Sequence, residues 1–593
     1  MNIMPTPINC LPTERNRRSR TYAGARWLMA AFLGVVLFSE ASARSAHFTT
    51  GVEAADKFGV HEIVLTGNGT VANPFDTLAT VKFSPPSGEK NAKTVNAFHD
   101  GGNTWRARVY VSETGDWKWS SRCDTDTGLN GKTGTFKARN SDLRGRLLPH
   151  SKNPRHWQTE NGRWFLNLND TSYYFLTAYS AYGAPVSDAD AKAYVRDLAE
   201  RGITSMRSFT LVGPSGYLED GPEFERRWRE GVFEDAEFTR PRLDYLRVAD
   251  ERLRLLLNEY PDMKMQLVLF PRGSRHGRDA NIWANFSPAQ KERLMRTMIA
   301  RYAAYPQIFW LVANDVHYGP KHPNNNAFAR EVGEYFRRHD PWRHPMSTGH
   351  ARKIDFFFSD EDWATYIHVE DAYDVGAAQY EKYHRYAKPV FLGEDRYEHD
   401  HLALDPVDMR YFQRRLFWAW SLAGGSANYG GRWWVLLPYS KTGHTPSPIN
   451  TRPANKGHVF TAQLTGLDSV KFIRDYFTTR KIELSDFEPD HALVNDPEVK
   501  EATRAPKLMR RGQQEFLIYH PNAAADDRNT RADESKTPSV ILDLSAASGK
   551  FSVEWYRAAD GTAQPGGVID GGKSQTLRSP WRGQDCVVRL RRK

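Results

Sequence analysis

Ile308-Phe309-Trp310-Leu311-Val312-Ala313-Asn314-Asp315 is the stretch on which the reading of this 593-residue chain turns. An unbroken apolar run this short suits a strand covered on both faces, and a polar pair closes its C-terminal end. The same form recurs outward in both directions. Apolar runs lie at Trp164–Leu168, Ile203–Phe209, Met265–Phe270, Pro345–Ser347, Thr365–Val369, Pro389–Leu392 and Ser426–Tyr429. Helical stripes separate them. Ala191, Tyr194, Val195, Leu198 and Ala199 recur at helical spacing, with Gly202 just beyond. Leu246, Ala249, Leu253, Leu256 and Leu257 form a second stripe. Ser287-Pro288 opens a third, ahead of Leu294, Met295, Met298, Ile299 and Tyr302. Eight strands alternating with helices over residues 150–478 predict an α/β fold, a (β/α)8 TIM barrel, with a doubly wound sheet as the alternative.

The flanks change period. Residues 47–147 carry short alternating runs (Glu62–Leu65, Ala79–Phe83, Trp105–Val111, Trp117–Ser121, Thr133–Lys137) between turn clusters such as Gly67-Asn68-Gly69. Residues 480–593 return to the same character at Phe516–Tyr519, Ser539–Leu544, Phe551–Tyr556 and Cys586–Leu590. Each flank predicts a β-sandwich domain. Residues 1–43 read as a secretory signal peptide: arginines from Arg15 to Arg26, the apolar run Trp27–Phe38, then Ala41-Ser42-Ala43. That run is too short to span a bilayer. The expected location is secreted or periplasmic, with no membrane insertion once the signal is removed.

Hydrophobic residues make up 40% and charged residues 26% of the chain, which is ordinary globular composition and excludes wholesale disorder. The net charge of +10 includes +3 from residues 1–43, and the remaining basic residues are scattered. Nucleic-acid binding requires a patch or stripe, so that class is set aside. Cys123 and Cys586 remain after Cys10 in the leader; their spacing permits a disulfide without establishing one. Asp124-Thr125-Asp126-Thr127-Gly128 echoes a calcium loop but lacks its Gly and Glu positions, and reads as a hairpin turn. Glu398-His399-Asp400-His401 is crowded on one loop and is set aside as a metal site. No cofactor is expected.

In a barrel the chemistry sits at the C-terminal ends of the strands. Those ends carry Asn169-Asp170, Arg207, Asn314-Asp315, Gly349-His350, His368 and Glu370, Gly393-Glu394 followed by Asp395 and Arg396, and Asn428-Tyr429-Gly430 with Trp433-Trp434 beyond. Carboxylates therefore top several strands, and strands 4 and 7 are nearly opposite in an eight-stranded ring. Two facing carboxylates without a metal-ligand cluster suit glycoside hydrolysis, by retention at about 5 Å separation or inversion at about 6.5–9.5 Å. Burial and neighbouring negative charge would raise the acid's pKa, while Arg207 would lower that of its partner.

Phe165–Thr171, Phe309–Asp315, Lys388–Glu394 with Tyr397-Glu398, and Gly424–Gly430 together resemble the apiosidase-like branch of (β/α)8 glycoside hydrolases. The flanks resemble the sandwich found before such barrels and one often labelled collagen-binding. The resemblance implies Asp315 as general acid/base and Glu394 as nucleophile, with Arg207 steadying the nucleophile and Asn314 holding a sugar hydroxyl. It makes Asp170, His350, His368, Arg396, Tyr429 and Trp434 candidates for substrate binding. The implied substrate is a plant or algal polysaccharide or its oligosaccharides, with apiose- or arabinose-like side chains favoured. The relatives outside this branch carry Asn-Glu where this chain has Asn314-Asp315, so the anomeric outcome stays open. A non-catalytic carbohydrate-binding protein and a polysaccharide lyase are the alternatives.

Overall fold

The computed structural model describes residues 46–593 apart from 52–53, 179–185, 211–232, 236, 271–282, 353, 372–373, 396–397, 399–405, 431–443, 446–458, 461–464 and 526–530. Its centre is a ring of parallel strands: β1 Leu168–Thr171, β2 Ser205–Phe209, β3 Lys264–Phe270, β4 Ile308–Ala313, β5 Met346–Ser347, β6 Ile367–Glu370, β7 Val390–Glu394 and β8 Ala427–Tyr429. Parallel pairing runs β5-β4-β3-β2-β1-β8, and β6 pairs with β7. Two joints close the ring. Leu392 N–H donates to Ser426 O at 2.9 Å beside β8, and Thr365 N–H donates to Met346 O at 2.8 Å between β5 and β6. Every residue of β3 and β4 is buried, as strands covered by both helices and barrel interior must be.

Helices α1 Asp188–Glu200, α2 Leu243–Glu259, α3 Pro288–Tyr302, α4 Pro323–His339, α5 Ala378–Tyr383 and α6 Pro406–Ala423 return the chain between strands. The three predicted stripes face inward on α1, α2 and α3, with Ala199 on α1 half-buried. Ser187 caps α1 through Asp190 N–H, and Ser287 with Gln290 forms a capping box at α3. Gly202, at φ +90°, turns the chain out of α1 against Lys471. Among the described residues no helix is long and apolar enough to cross a membrane.

The first barrel strand departs from expectation. Trp164–Phe165 pairs antiparallel with Trp157–Thr159 in a small sheet outside the ring, and the ring begins at Leu168. Aromatic content marked a buried segment correctly but not which sheet it joins. Asn169 and Asp170 therefore lie within β1 rather than beyond it.

The N-terminal region forms two sheets. One runs Phe48–Thr50, Val60–Thr66, Thr104–Tyr110, Phe98–His99; the other runs Ala55–Asp56, Thr133–Arg139, Gly115–Cys123, Ala79–Ser84, Lys93–Asn96. Asp124–Gly128 falls in the connection of the Gly115–Cys123/Thr133–Arg139 hairpin. This region shares one apolar core with the barrel, and a buried ionic seam fastens the two. Arg108 donates to Glu62 (2.8 Å) and to Asp250 on α2 (2.5 Å); Arg301 on α3 donates to Asp250 (2.5 Å) and Asp100 (3.1 Å); Arg106 donates to Glu62 and Asp100, each at 2.6 Å.

After α7 (Lys471–Arg480) the C-terminal region forms a six-stranded and a three-stranded sheet around its own core. One face rests on the barrel, where Trp418 of α6 stacks on Tyr519 and Arg414 pairs with Asp585 at 2.7 Å. Cys123 and Cys586 are both buried free thiols.

Candidate active site

Two backbone irregularities build the barrel mouth. At the end of β4, Asp315 adopts a left-handed φ of +56°. Gly349 N–H still bonds Ala313 O at 2.8 Å, and the chain re-pairs beyond the kink, Ala351 N–H to Val316 O at 2.8 Å. Asp315 is thus held between two fixed points in a conformation that costs on the order of 1–3 kcal/mol and that clusters at functional sites. Between β6 and β7 the register slips: Val369 faces Leu392, but Glu370 faces Glu394, leaving Gly393 as the extra residue. Such a bulge re-aims a side chain, here placing Glu394 beside Glu370. Gly393 is required, because a Cβ there would lie 1.8 Å from His368 Cε1.

One oxygen each from Asp315, Glu370 and Glu394 lie within 4.8 Å of one another. Arg207, fully buried on β2, donates to Glu394 (3.2 Å), Gly393 O (2.7 Å), Glu370 (3.4 Å) and Asn314 Oδ1. Arg352, after β5, donates to the other Glu394 oxygen at 3.0 Å and to Asp395 O at 3.0 Å. Tyr173 O–H donates to Glu394 Oε2 at 2.5 Å, its ring stacked on Phe209 at 4.2 Å. Burial, followed by the Glu394 charge, raises the Asp315 carboxyl to about 6. Glu370 is pushed well above the carboxylate range by burial and then by Glu394 and Asp315. Among the described residues this trio is the group of His, Cys and acidic side chains spaced as metal ligands are, and the cations facing it are guanidinium groups.

Asp315, Glu394, Arg207 and Asn314 are brought together here. Asp170 is not: its carboxylate accepts from Ser172 (2.5 Å) and from Tyr194 on α1 (2.6 Å), so it faces the helix layer. Thr171 pairs with the inward-facing Arg207, so the alternation of the strand turns Asp170 outward. The two histidines stand behind Glu370. His350 Nε2 accepts Glu370 N–H (3.4 Å) while its Nδ1–H donates to Ala351 O (2.8 Å), a buried neutral ring with its pKa lowered to about 4 by burial. His368 lies between Gln266 (3.3 Å) and Glu370 Oε1 (3.3 Å). Both rings are fully buried and spend their nitrogens on protein groups. Tyr429 is also fully buried and donates to Glu398, whose other oxygen accepts Gly466 N–H at 2.8 Å. Arg396 and Trp434 lie outside the described residues.

Tyr173, Arg352 and a role for Glu370 escaped the sequence reading. Tyr173 sits in Tyr173-Tyr174-Phe175, which reads as core. Arg352 follows the weakly marked β5. Glu370 had a usable signal: its spacing from His368 puts both on one face of β6.

Comparisons with known proteins agree with this architecture. Residues 151–453, just over half of the chain, match the family described as apiosidase-like, catalytic domain, and residues 54–124 match a domain family of unknown function, DUF5060. No curated protein matches the sequence. A protein assigned as a glycoside hydrolase from Bacteroides vulgatus is similar in structure over 92% of this chain and 99% of its own, with a TM-score of 0.63 at 18% identity. A glycoside hydrolase family 5 structure from the same organism covers 76% of this chain and 94% of its own, with a TM-score of 0.55 at 16% identity. With the barrel, the facing carboxyl groups on β4 and β7 and the family match all in place, the chain belongs to the apiosidase-like family.

Proposed function

We propose that this chain hydrolyses glycosidic bonds by a two-carboxylate mechanism. The observation that carries this reading is the pairing of Asp315 and Glu394, one oxygen of each within 4.8 Å, across the mouth of the barrel. So short a separation supports retention, which uses carboxyls about 5–5.5 Å apart, over inversion, which needs room for a water. Glu394 is the nucleophile. Arg207, Arg352 and Tyr173 all donate to its carboxylate, fixing its aim at the anomeric carbon. Asp315 is the acid. With its pKa raised to about 6 it holds a proton below that pH and gives it to the leaving oxygen. It then takes a proton from the water that cleaves the glycosyl–enzyme bond. Asn314, held by Arg207, stands beside the acid to receive a sugar hydroxyl.

The substrate class we propose is a plant or algal polysaccharide or its oligosaccharides, met in a secreted or periplasmic setting. The family match and the basic, apolar and small-residue segments of residues 1–43 support this. The test is sugar release from a broad glycan panel by the full chain and by Glu394→Gln. Release by the first and at least a 10³-fold loss in the second, with the fold intact, is the expected outcome. Equal release would remove Glu394 from the mechanism. Binding without release would favour the carbohydrate-binding alternative, and unsaturated products absorbing in the ultraviolet would favour a lyase.

A further inference from the structure

At the end of the ring opposite the mouth, the segments that lead into β1, β2 and β3 and the stretch from α7 to Asp486 line an open groove of about 950 Å³. That volume is at the upper end of the range for ligand sites, about 300–1,000 Å³. Phe165, Ile203, Met263, Phe477 and Ile482 give it a buried apolar lining. Trp164 and Tyr260 border it and are only half-buried, Trp164 with its ring edge-to-face on Phe477 at 5.7 Å. Arg163 also lines a second hollow of about 430 Å³, which reaches the N-terminal region at Phe58, Asn140 and Asn161. Phe58 is half-buried too, stacked on Tyr110 at 6.0 Å. The two hollows meet at Arg163, and each carries partly open aromatic rings.

The polar lining is mixed in sign and only partly paired. Four basic and five acidic side chains line the larger hollow. Arg144 pairs with Asp262 at 3.2 Å, and Arg474 donates to Ala199 O at 2.9 Å. Arg163, Lys481, Glu483 and Asp486 are exposed, and among the described residues their side chains make no hydrogen bond or ion pair. A groove so close to neutral repels a polyanion as much as a polycation. Free donors beside free acceptors suit a neutral ligand rich in hydroxyl groups. Its oxygens can accept from Arg163 and Lys481, and its O–H groups can donate to Glu483 and Asp486. The rings of Trp164, Tyr260 and Phe58 offer apolar faces to the C–H surfaces of sugars.

We infer that this groove is a second carbohydrate-binding site, which takes a neutral stretch of polysaccharide at the end of the barrel away from the catalytic carboxyl groups. That its ligand is the polymer cut at the mouth rests on the hydrolase reading above. A second hold on that polymer raises the effective concentration of uncut chain at the mouth. The gain is confined to substrates large enough to engage both sites. Groove and mouth open at opposite ends of the ring, so a short oligosaccharide occupies one or the other.

The binding arm of the test uses the full chain carrying Glu394→Gln, so that polymer is retained and not consumed. Affinity electrophoresis is run through arabinan, xyloglucan, galactomannan and laminarin as neutral polymers, with polygalacturonate as the anionic one. At least one neutral polymer should retard the chain, and adding Trp164→Ala should weaken that retention about tenfold. Trp164 packs on Phe477, so a second variant guards against misfolding. Arg163→Ala with Lys481→Ala changes two exposed, unpaired positions and removes two donors, which should cost about the same factor. In the kinetic arm, on the chain with Glu394 intact, the same groove variants should lower kcat/KM on the retained polymer about tenfold and leave it unchanged on a trisaccharide cut from it. Equal losses on polymer and trisaccharide would place the effect at the mouth and overturn the inference. So would retention by polygalacturonate alone, by no neutral polymer, or by neutral polymers equally in the parent and both folded variants. Retention lost in the groove variants while wild type cleaves no glycoside would overturn the hydrolase reading and leave the groove assignment standing.

Discussion

The seam beneath the N-terminal sheets and the mouth of the barrel each gather three carboxyl groups and a set of arginines away from water. At the seam, Glu62, Asp100 and Asp250 meet Arg106, Arg108 and Arg301, and each carboxylate is held by two of the three. Burial opposes ionisation there, but Arg301, Arg106 and Arg247 bring Asp100 down to about 2, and Arg108 and Arg301 bring Asp250 below the usual range. At the mouth, Arg207 and Arg352 are shared among three carboxyl groups, both are committed to Glu394, and Asp315 and Glu370 rise. The ingredients match and the stoichiometry does not: Arg247 and Arg254 add to the three arginines at the seam, whereas among the described residues two arginines meet the three carboxyl groups of the mouth. A buried cluster rich in cations keeps its carboxylates ionised and clamps two layers together, whereas crowded carboxyl groups with fewer cations favour the protonated form, and a retained proton is what an acid catalyst requires.

The largest effect that breaks the comparison is expected at the seam. Arg108→Met leaves Glu62 and Asp250 buried with a partner missing and should destabilise the chain by about 3–5 kcal/mol. The urea midpoint should fall sharply while the pH profile of any remaining activity keeps its shape. The mouth should answer with the opposite sign. A carboxyl whose folded pKa is raised binds its proton more tightly in the native state, so wild type loses stability as pH rises from about 4 to about 6. Asp315→Asn removes that loss and suits a left-handed φ. It should abolish acid-assisted turnover and stabilise the fold by about 1–3 kcal/mol at pH 7.5, with little gain at pH 4. Equal melting temperatures of variant and wild type at pH 7.5 would show that the mouth stores no such strain.

The contrast between these clusters was only half legible in the sequence. The apolar runs of β4 and β7, each closed by a carboxylate, predicted the barrel and the two facing groups, because a fully buried strand announces itself by composition and its end by the first charge. β1 was misplaced because Trp164–Phe165 is equally apolar but belongs to a hairpin outside the ring. Asp170 went with it, since the register that sets Thr171 beside Arg207, and so decides which side chains point inward, is not written in the strand's own sequence. Arg352 and Tyr173 reach Glu394 only through ring closure and through a turn buried among aromatics, neither of which leaves a local pattern. The seam was invisible for the same reason: its carboxylates and arginines come from two strands and a turn of one sheet and from two helices. The register slip at Gly393 shows only when Glu370 and Glu394 are seen side by side.

Acid sharpens the contrast at the seam. Asp100 carries a pKa lowered from 3.8 to about 2, so the stability it contributes is complete above about pH 4 and is lost as pH falls through about 2. Partial exposure screens the effect, which should be about 1–2 kcal/mol. The stability gap between wild type and Asp100→Asn should therefore be constant from pH 7 to 5 and close below pH 4. A gap that persists at pH 2 would mean that Asp100 acts through packing and not through its charge.

The finest test separates charge from aim at Glu394. Tyr173→Phe removes one neutral donor, the O–H at 2.5 Å, and leaves the ring on Phe209 and beneath the Arg207 guanidinium, whose carbon lies 5.2 Å from the ring centre. Neither guanidinium is disturbed, so the charge balance of the mouth is unchanged and the melting temperature should hold. A hydrogen bond to a charged group contributes about 1.5 kcal/mol or more. If Tyr173 orients the carboxylate for attack, kcat should fall about tenfold with KM nearly constant, because the interaction serves the transition state and not the bound sugar. A rise in KM at constant kcat would instead make the phenol a sugar contact, and would leave the two arginines alone to hold Glu394 in line.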